Sequence, residues 1–367
     1  MKLKKIIDVD NLDSSNFTET WILNDKHVEI DITTGKECDI FDLKKNVLSN
    51  FNEKANEIKH SREEIYKNKE INIHLCPICK NVTYLSKKVA LIYNADYRKC
   101  IKCGHMYVCN RLSTKEIADF YKSNQSYSET YTNSKKSKSR IKNVIKDKVS
   151  WAISKYVKHY KSQPRSVLDV GCGGGHFVKS CRDFGLKSEG IEISDNSIRF
   201  AKDVFGLDLI HGDLNKTNLD KKYDLITLWG IIEHVEDPIE LISNCKKALT
   251  DKGMIVLTSP NADSLSSYIQ ISQNKNIIRH LDPLGHIHLF SEKSMCKMLL
   301  TSGLIPKSAW YFGMDGYETV LQTAKALNEQ NLPEANEQVK KLSSSIQSLA
   351  DKFRASDSFA LACILDL

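Results

Sequence analysis

An α/β chain built on an open, doubly wound sheet, with a small cysteine-rich unit ahead of it, is predicted by three features of the sequence. From residue 140 onward, strand-like and helix-like segments alternate. The first of those strands ends in the turn "VLDVGCGGGHF", where Gly171, Gly173, Gly174 and Gly175 crowd together. Earlier in the chain, two Cys-x2-Cys pairs, Cys76/Cys79 and Cys100/Cys103, are separated by twenty residues. Strands alternating with helices imply a parallel sheet with helices on both faces.

Taken in order, residues 1–70 form an N-terminal extension of mixed polarity. Its first part shows some strand-like alternation. Residues 44–70 read as a charged helix with an apolar stripe at Val47, Leu48, Phe51, Ala55, Ile58 and Ile65. Residues 71–134 hold the cysteine pairs, a short helix after Ser113 and a Ser/Asn/Lys-rich linker, with a boundary near residue 135. In residues 135–367 a basic amphipathic helix, Ile141–Lys161, leads into the alternating part. Strands are expected at 166–170, 187–193, 207–211, 223–228, 254–258 and 305–312. Helices are expected at 175–184, 195–205, 238–249 and 291–302. A helical insertion at about 317–353 precedes a last strand, "SFALACILDL".

A chain of 367 residues predicts two or three domains. With 41% hydrophobic and 27% charged residues, the composition is that of an ordinary soluble protein. No apolar run approaches the length of a membrane span, and the start lacks the apolar stretch of a secretory leader, so a cytoplasmic location is expected. The formal charge is +7, yet Lys135–Arg165 holds eleven Lys or Arg and one acid, Asp147. The basic character is therefore a local stripe, and the remainder of the chain is slightly acidic. Eleven cysteines, an odd number, favour one metal site plus buried thiols over a disulfide framework.

The glycine turn brings backbone close to a ligand beyond the carboxyl ends of the strands. A dinucleotide fingerprint would place a third glycine where His176 stands, and no Gly-Lys-Ser/Thr follows for a phosphate loop. Asp169 sits two residues before Gly171. A carboxylate there repels a pyrophosphate and suits a cationic ligand such as S-adenosylmethionine, which carries an ammonium and a sulfonium.

On these residues the chain resembles the class I S-adenosylmethionine-dependent methyltransferases, over roughly 140–313 and the last strand. "VLDVGCGGGHF", "GIEIS" (190–194), "HGDLN" (211–215), "YDLITLWGIIEHVEDP" (223–238) and "KKALTDKGMIVLTSPN" (246–261) follow their motifs in order. The resemblance implies a Rossmann-like sheet of seven strands with the last antiparallel, and an enzyme that transfers methyl groups. It implies cofactor contacts from Asp169, Gly171, Gly173, Gly175, Glu192 (ribose hydroxyls), Asp213 (adenine amino group), Leu214 and Trp229.

The spacing of Cys76, Cys79, Cys100 and Cys103 fits tetrahedral zinc held by two knuckles. Four thiolates close the coordination sphere, so the expected site is structural. His105 and Cys109 are secondary candidates. "YRKCIKCGHMYVCNRLSTKEIADFY" is also similar to the zinc-binding segment that precedes the methyltransferase domain in some sugar and natural-product methyltransferases.

If the acceptor is a hydroxyl, a general base is needed, and histidine is the usual one. His234 lies just past the fourth strand of the alternating part; His286 and His288 lie in "HLDPLGHIHLFS", a loop that lines the substrate pocket in the resembling family. The expected function is methylation of a small-molecule acceptor: a sugar, nucleotide-sugar, lipid-linked or natural-product hydroxyl or carbon. The alternative is an RNA or DNA methyltransferase guided by the zinc knuckles and the basic helix. It is disfavoured because "LWGIIEH" replaces the Asp/Asn-Pro-Pro-aromatic of amino-directed enzymes, and because no Pro-Cys occurs. Residues 1–70 and 317–353 are candidate surfaces of a homodimer.

Overall fold

The computed structural model describes residues 3–6, 15–36, 51–113, 115–117, 132–272, 280–329 and 335–366. The Ser/Asn/Lys-rich linker and the stripe positions Val47 and Leu48 lie outside them. The chain gathers into two compact units. The first comprises Met1–Arg111, Ser259–Lys297 and Ala309–Phe359; the second comprises Leu112–Thr258, Met298–Ser308 and Ala360–Leu367. Each is therefore discontinuous, whereas the sequence reading divides the chain linearly at 70 and 134. The helices of the 317–353 stretch fall in the first unit.

The second unit is a doubly wound sheet. Its strands are β7 (Ser166–Val170), β8 (Lys187–Glu192), β9 (Ile210–His211), β10 (Tyr223–Leu228) and β11 (Leu249–Pro260), with parts of β13 (Leu304–Phe312) and β14 (Ser358–Leu365). They lie in the order β13-β14-β11-β10-β7-β8-β9. The pairs β11/β10, β10/β7, β7/β8 and β8/β9 are parallel. Central parallel strands bury both faces, and all six residues of β10 are buried, as are Val167, Leu168 and Val170 of β7.

Helices of this unit have readable ends. α5 (Asp195–Phe205) is capped by the Ser194 side chain, which accepts from Ser197 N, and stops at Gly206 in the left-handed region. α6 (Pro238–Lys247) starts with proline in its first turn, behind Asp237, whose carboxylate accepts from Ile239 N and Glu240 N. The basic helix begins earlier than expected, as α2 (Ser134–Arg140) capped by Asn133. A π-helical turn, Ile141–Ile145, joins it to α3 (Lys146–Tyr160). The Ser/Lys-rich start of α2 has no apolar period to mark it in the sequence.

The first unit contains a three-stranded meander, β1 (Leu3–Ile6), β2 (Asn16–Leu23) and β3 (Lys26–Thr34). Asn24 and Asp25, at φ +50° and +67°, make the two-residue turn between β2 and β3. Trp21, Leu23, Val28, Ile30 and Ile32 fill its inner face. Glu19 shares that face, buried, and accepts from Trp21 Nε1 and from both terminal nitrogens of Arg354. Removing one partner of a buried pair costs about 3–5 kcal/mol. Glu19→Ala is therefore expected to lower the denaturant midpoint sharply, whereas alanine at the exposed Lys26 leaves it unchanged.

The same unit carries α1 (Phe51–Ile65) and a small sheet in the order β12-β6-β5-β4. These strands are His288–Leu289, Met106–Val108, Ala95–Lys99 and Lys87–Ile92 respectively. The pairing of β12 with β6 stitches the distant 286–290 loop to the cysteine knuckles. Also here are α7 (Leu265–Ser272), the first part of α8 (Glu292–Thr301), and α9 (Asp315–Glu329) packed on α10 (Ala335–Lys352). No helix among the described residues is long and apolar enough to cross a membrane.

Candidate active site

β7 delivers Asp169 to the carboxyl end of the sheet, in register with Thr227 on β10 and Gly190 on β8. Thr227 Oγ1 donates to Asp169 Oδ1 at 2.6 Å. The carboxyl is buried, and that burial pushes it up to about 7, with the Thr227 bond and the charge of Lys148 acting against the rise.

The glycine turn follows. Gly171 N and Cys172 N both donate to the Ile191 carbonyl, at 2.8 and 3.2 Å, tying the turn to the end of β8. Gly171 stands at φ +65°, and a Cβ there would lie 2.2 Å from Ile231 Cδ1. Backbone strain and overpacking both cost on the order of 1–3 kcal/mol. Gly171→Ala is expected to lower the unfolding midpoint and to weaken any ligand held by the turn at least about tenfold, read by denaturant titration and calorimetry.

Glu192 ends β8 with its carboxylate held by backbone. Oε2 accepts from Gly173 N at 2.7 Å; Oε1 accepts from Ile193 N and Ser194 N, both at 2.9 Å. Three of about four lone-pair directions are thereby used. Asp213, after β9, accepts from Asn215 N through Oδ1 at 2.9 Å, and Leu214 beside it is buried. Three carboxylates thus stand at the ends of three adjacent strands. α4 (His176–Asp183) begins at Gly175, with no side-chain cap and no acid in its first turn. An uncapped helix start offers N–H groups to a ligand.

The other wall follows β10. Trp229 packs against Phe177, ring centroids 5.6 Å apart, and its Nε1 is buried without a hydrogen-bond partner among the described residues. Lys148 Nζ of α3 lies 4.7 Å from the Trp229 ring centroid. Gly230 N donates to Thr258 Oγ1 at 2.8 Å. Glu233 is buried, and burial pushes its carboxyl up to about 8, opposed by Lys148. Sequence reading passed over Lys148, Thr227 and Thr258. Lys148 is one of eleven cations in a run, and nothing in that run marks the one turned toward the carboxylates.

Of the three expected bases, His234 belongs to this unit, partly buried, with Nε2 3.9 Å from Glu233 Oε1. His286 and His288 belong to the first unit. His288 is fully buried on β12, its Nδ1 3.0 Å from Nε2 of the equally buried His105. His286 Nδ1 lies 2.9 Å from the His280 carbonyl. A carbonyl accepts only, so His286 donates through Nδ1.

The four knuckle cysteines converge, with all four sulfur atoms within 4.8 Å of one another. Cys76 and Cys103 Sγ are 3.6 Å apart, and Cys79 and Cys100 Sγ 3.5 Å. The two knuckles repeat one geometry. Lys80 N and Gly104 N donate to the Cys76 and Cys100 carbonyls at 2.9 Å each, with φ +55° and +76°. Cys76 N and Cys100 N donate to the Asn81 and His105 carbonyls. Tetrahedral thiolates at about 2.3 Å from zinc have edges of about 3.8 Å, close to the spacings here.

Residues 142–305, which span the turn, the three carboxylates and the β10 wall, match the family model described as "Methyltransferase domain". This stretch is therefore similar to a methyltransferase domain. Among curated proteins, this domain is similar to the mitochondrial ubiquinone biosynthesis O-methyltransferases of two yeasts. Identity is 32% over 133 residues for Saccharomyces cerevisiae, covering 34% of this chain and 42% of the relative. It is 26% over 136 residues for Schizosaccharomyces pombe, covering 35% and 49%. The chain thus spans about half the length of the curated relatives it matches. A solved plantazolicin methyltransferase, in complex with a triazolic desmethylPZN analog and SAH, aligns at 18% identity and TM-score 0.39, covering 69% of this chain and 91% of that one. The matched residues fall mainly in the second unit, whose mostly parallel sheet with intervening helices agrees with the doubly wound sheet expected from the sequence.

Proposed function

We propose that the chain is an enzyme that transfers the methyl group of S-adenosylmethionine to a small-molecule acceptor. One observation carries the reading: Asp169, Glu192 and Asp213 end three adjacent parallel strands around a left-handed glycine turn. This arrangement suits a cationic, ribose-bearing ligand and repels a pyrophosphate. Asp169, Gly171, Gly173, Gly175, Glu192, Asp213, Leu214 and Trp229 would hold the cofactor, which supplies an electrophilic methyl. The protein's share is to orient the acceptor and exclude water. Calorimetry tests the reading. Saturable binding of S-adenosylmethionine and S-adenosylhomocysteine, with none of NAD or ATP, is expected; the reverse pattern overturns it.

For a hydroxyl acceptor we assign the base to His234, the expected histidine that shares a unit with the glycine turn. Loss of a positioned base costs roughly 10²–10⁴ in rate. His234→Gln is expected to lower kcat by about 100-fold or more and to leave the affinity for S-adenosylhomocysteine unchanged; wild-type kcat in this variant removes the assignment.

The knuckles would bind structural zinc through Cys76, Cys79, Cys100 and Cys103, a cross-link with no open position for catalysis. None of the ten cysteines among the described residues is in a disulfide, which supports a reducing compartment such as the cytoplasm. The two yeast relatives are ubiquinone biosynthesis O-methyltransferases by name, which favours a small organic acceptor over nucleic acid. Should binding of oligonucleotides fall steeply with salt, and methyl transfer follow it, the basic helix would instead guide a nucleic-acid substrate.

A further inference from the structure

The cysteine-knuckle sheet presents a face that the methyl-transfer reading does not use. Ile71, Leu75, Val82, Tyr84, Leu85 and Leu91 are each between 38% and 76% exposed, within 21 residues of chain. Ile71, Val82 and Tyr84 line a groove of about 230 Å³ together with His74, Thr83 and Arg98. Leu75 is bridged to Val82 across the knuckle. Apolar side chains gathered on one exposed surface mark an interaction site more often than scattered ones do.

Two further observations say what covers it. β4 is the edge strand of its sheet, so one side of its backbone is not paired with another described strand. Its surroundings are basic: Lys80, Lys87, Lys88 and Lys102 are exposed, and none has a carboxylate partner among the described residues. Lys88 stands in register with Arg98 at the groove. The single acid between residues 71 and 105, Asp96, is engaged by Arg98.

We infer that this face docks an acidic polypeptide segment, which adds to β4 as a further strand and seats apolar side chains in the groove. Edge lysines oppose pairing with a like-charged copy of the same strand, and that disfavours self-association here. They do not oppose an acidic strand, whose main chain would take up the open β4 groups. Nucleic acid fits less well. Single-strand binding depends on successive aromatic platforms, and here Tyr84 and His74 stand among mainly aliphatic side chains rather than in a row of aromatic rings.

The test uses the full-length chain and a fluorescent peptide of alternating Glu and Leu. An alternating Lys–Leu peptide and oligo-dT serve as comparisons. The Glu–Leu peptide is expected to bind saturably and to weaken at least about tenfold in about 1 M salt, where the Debye length is about 3 Å. Tyr84→Ser/Leu91→Ser and Lys87→Glu/Lys88→Glu are each expected to weaken it by at least about tenfold. Circular dichroism and S-adenosylhomocysteine affinity should stay as in the wild type. Absence of binding, equal binding of the Lys–Leu peptide, or tighter binding of oligo-dT overturns the proposal. So does a dimer in sedimentation that the same substitutions dissociate.

Discussion

Asp169→Asn is expected to bind S-adenosylmethionine about 100-fold more weakly than the wild type at pH 8, and yet to unfold at a higher temperature. Both effects come from the same burial. Holding this carboxyl up at about 7 means that the folded protein keeps a proton that the unfolded chain releases near 4. Stability contributed by Asp169 therefore falls as pH rises between those values, because the folded state binds more protons there. Asparagine removes that penalty and still accepts from Thr227 Oγ1. A gain on the order of 1–3 kcal/mol at pH 8 follows.

Binding should show the opposite dependence. A cationic ligand beside Asp169 favours the ionised carboxylate, so its affinity should rise with pH toward about 7 and level off above. Below that point each pH unit costs up to about tenfold. A slope that survives in Asp169→Asn and is lost on adding Glu233→Gln belongs to Glu233, which burial pushes up to about 8. The measurement is a series of calorimetric titrations between about pH 5.5 and 8.5. Identical curves for wild type and variant would remove Asp169 from the site.

The second large effect concerns the knuckles. The purified chain is expected to carry one equivalent of zinc by elemental analysis, and Cys100→Ser to carry almost none. Structural zinc is worth about 10–16 kcal/mol to isolated knuckle peptides. The knuckle sheet packs within a larger unit, so loss of the metal is expected to loosen its strands locally rather than to unfold the whole chain. Amide protons of β4, β5 and β6 should then exchange at least about 100-fold faster in Cys100→Ser than in the wild type. Unchanged protection, or no zinc in the wild-type protein, would show that the four thiols hold the sheet without metal.

The parts of the fold that could be read in advance are those with strong local signals. Strand 166–170, helix 195–205 and strand 223–228 were expected with the bounds they have, since caps, glycines and fully apolar strands mark them. β2 and β3 were seen only as weak alternation. Their inner face includes Glu19, whose partner Arg354 is 335 residues away, and no local pattern can announce a buried ion pair of that range. β12, two residues long, exists through its pairing with β6. At the site, carboxylates and glycines could be read because the turn needs those residue types. Lys148 could not, because only tertiary packing singles it out.

The interleaving of the two units along the chain has a consequence for synthesis. The meander and the knuckles are synthesised before Ser259–Lys297 and Ala309–Phe359, which belong to the same unit. At 5–20 residues per second the gap between residues 111 and 359 corresponds to roughly 12–50 s of elongation. During that interval the nascent meander and knuckles are without the later segments of their unit. A break at residue 134 would divide the first unit, leaving its early segment without Ser259–Lys297 and Ala309–Phe359, whereas nearly all of the second unit lies after the break.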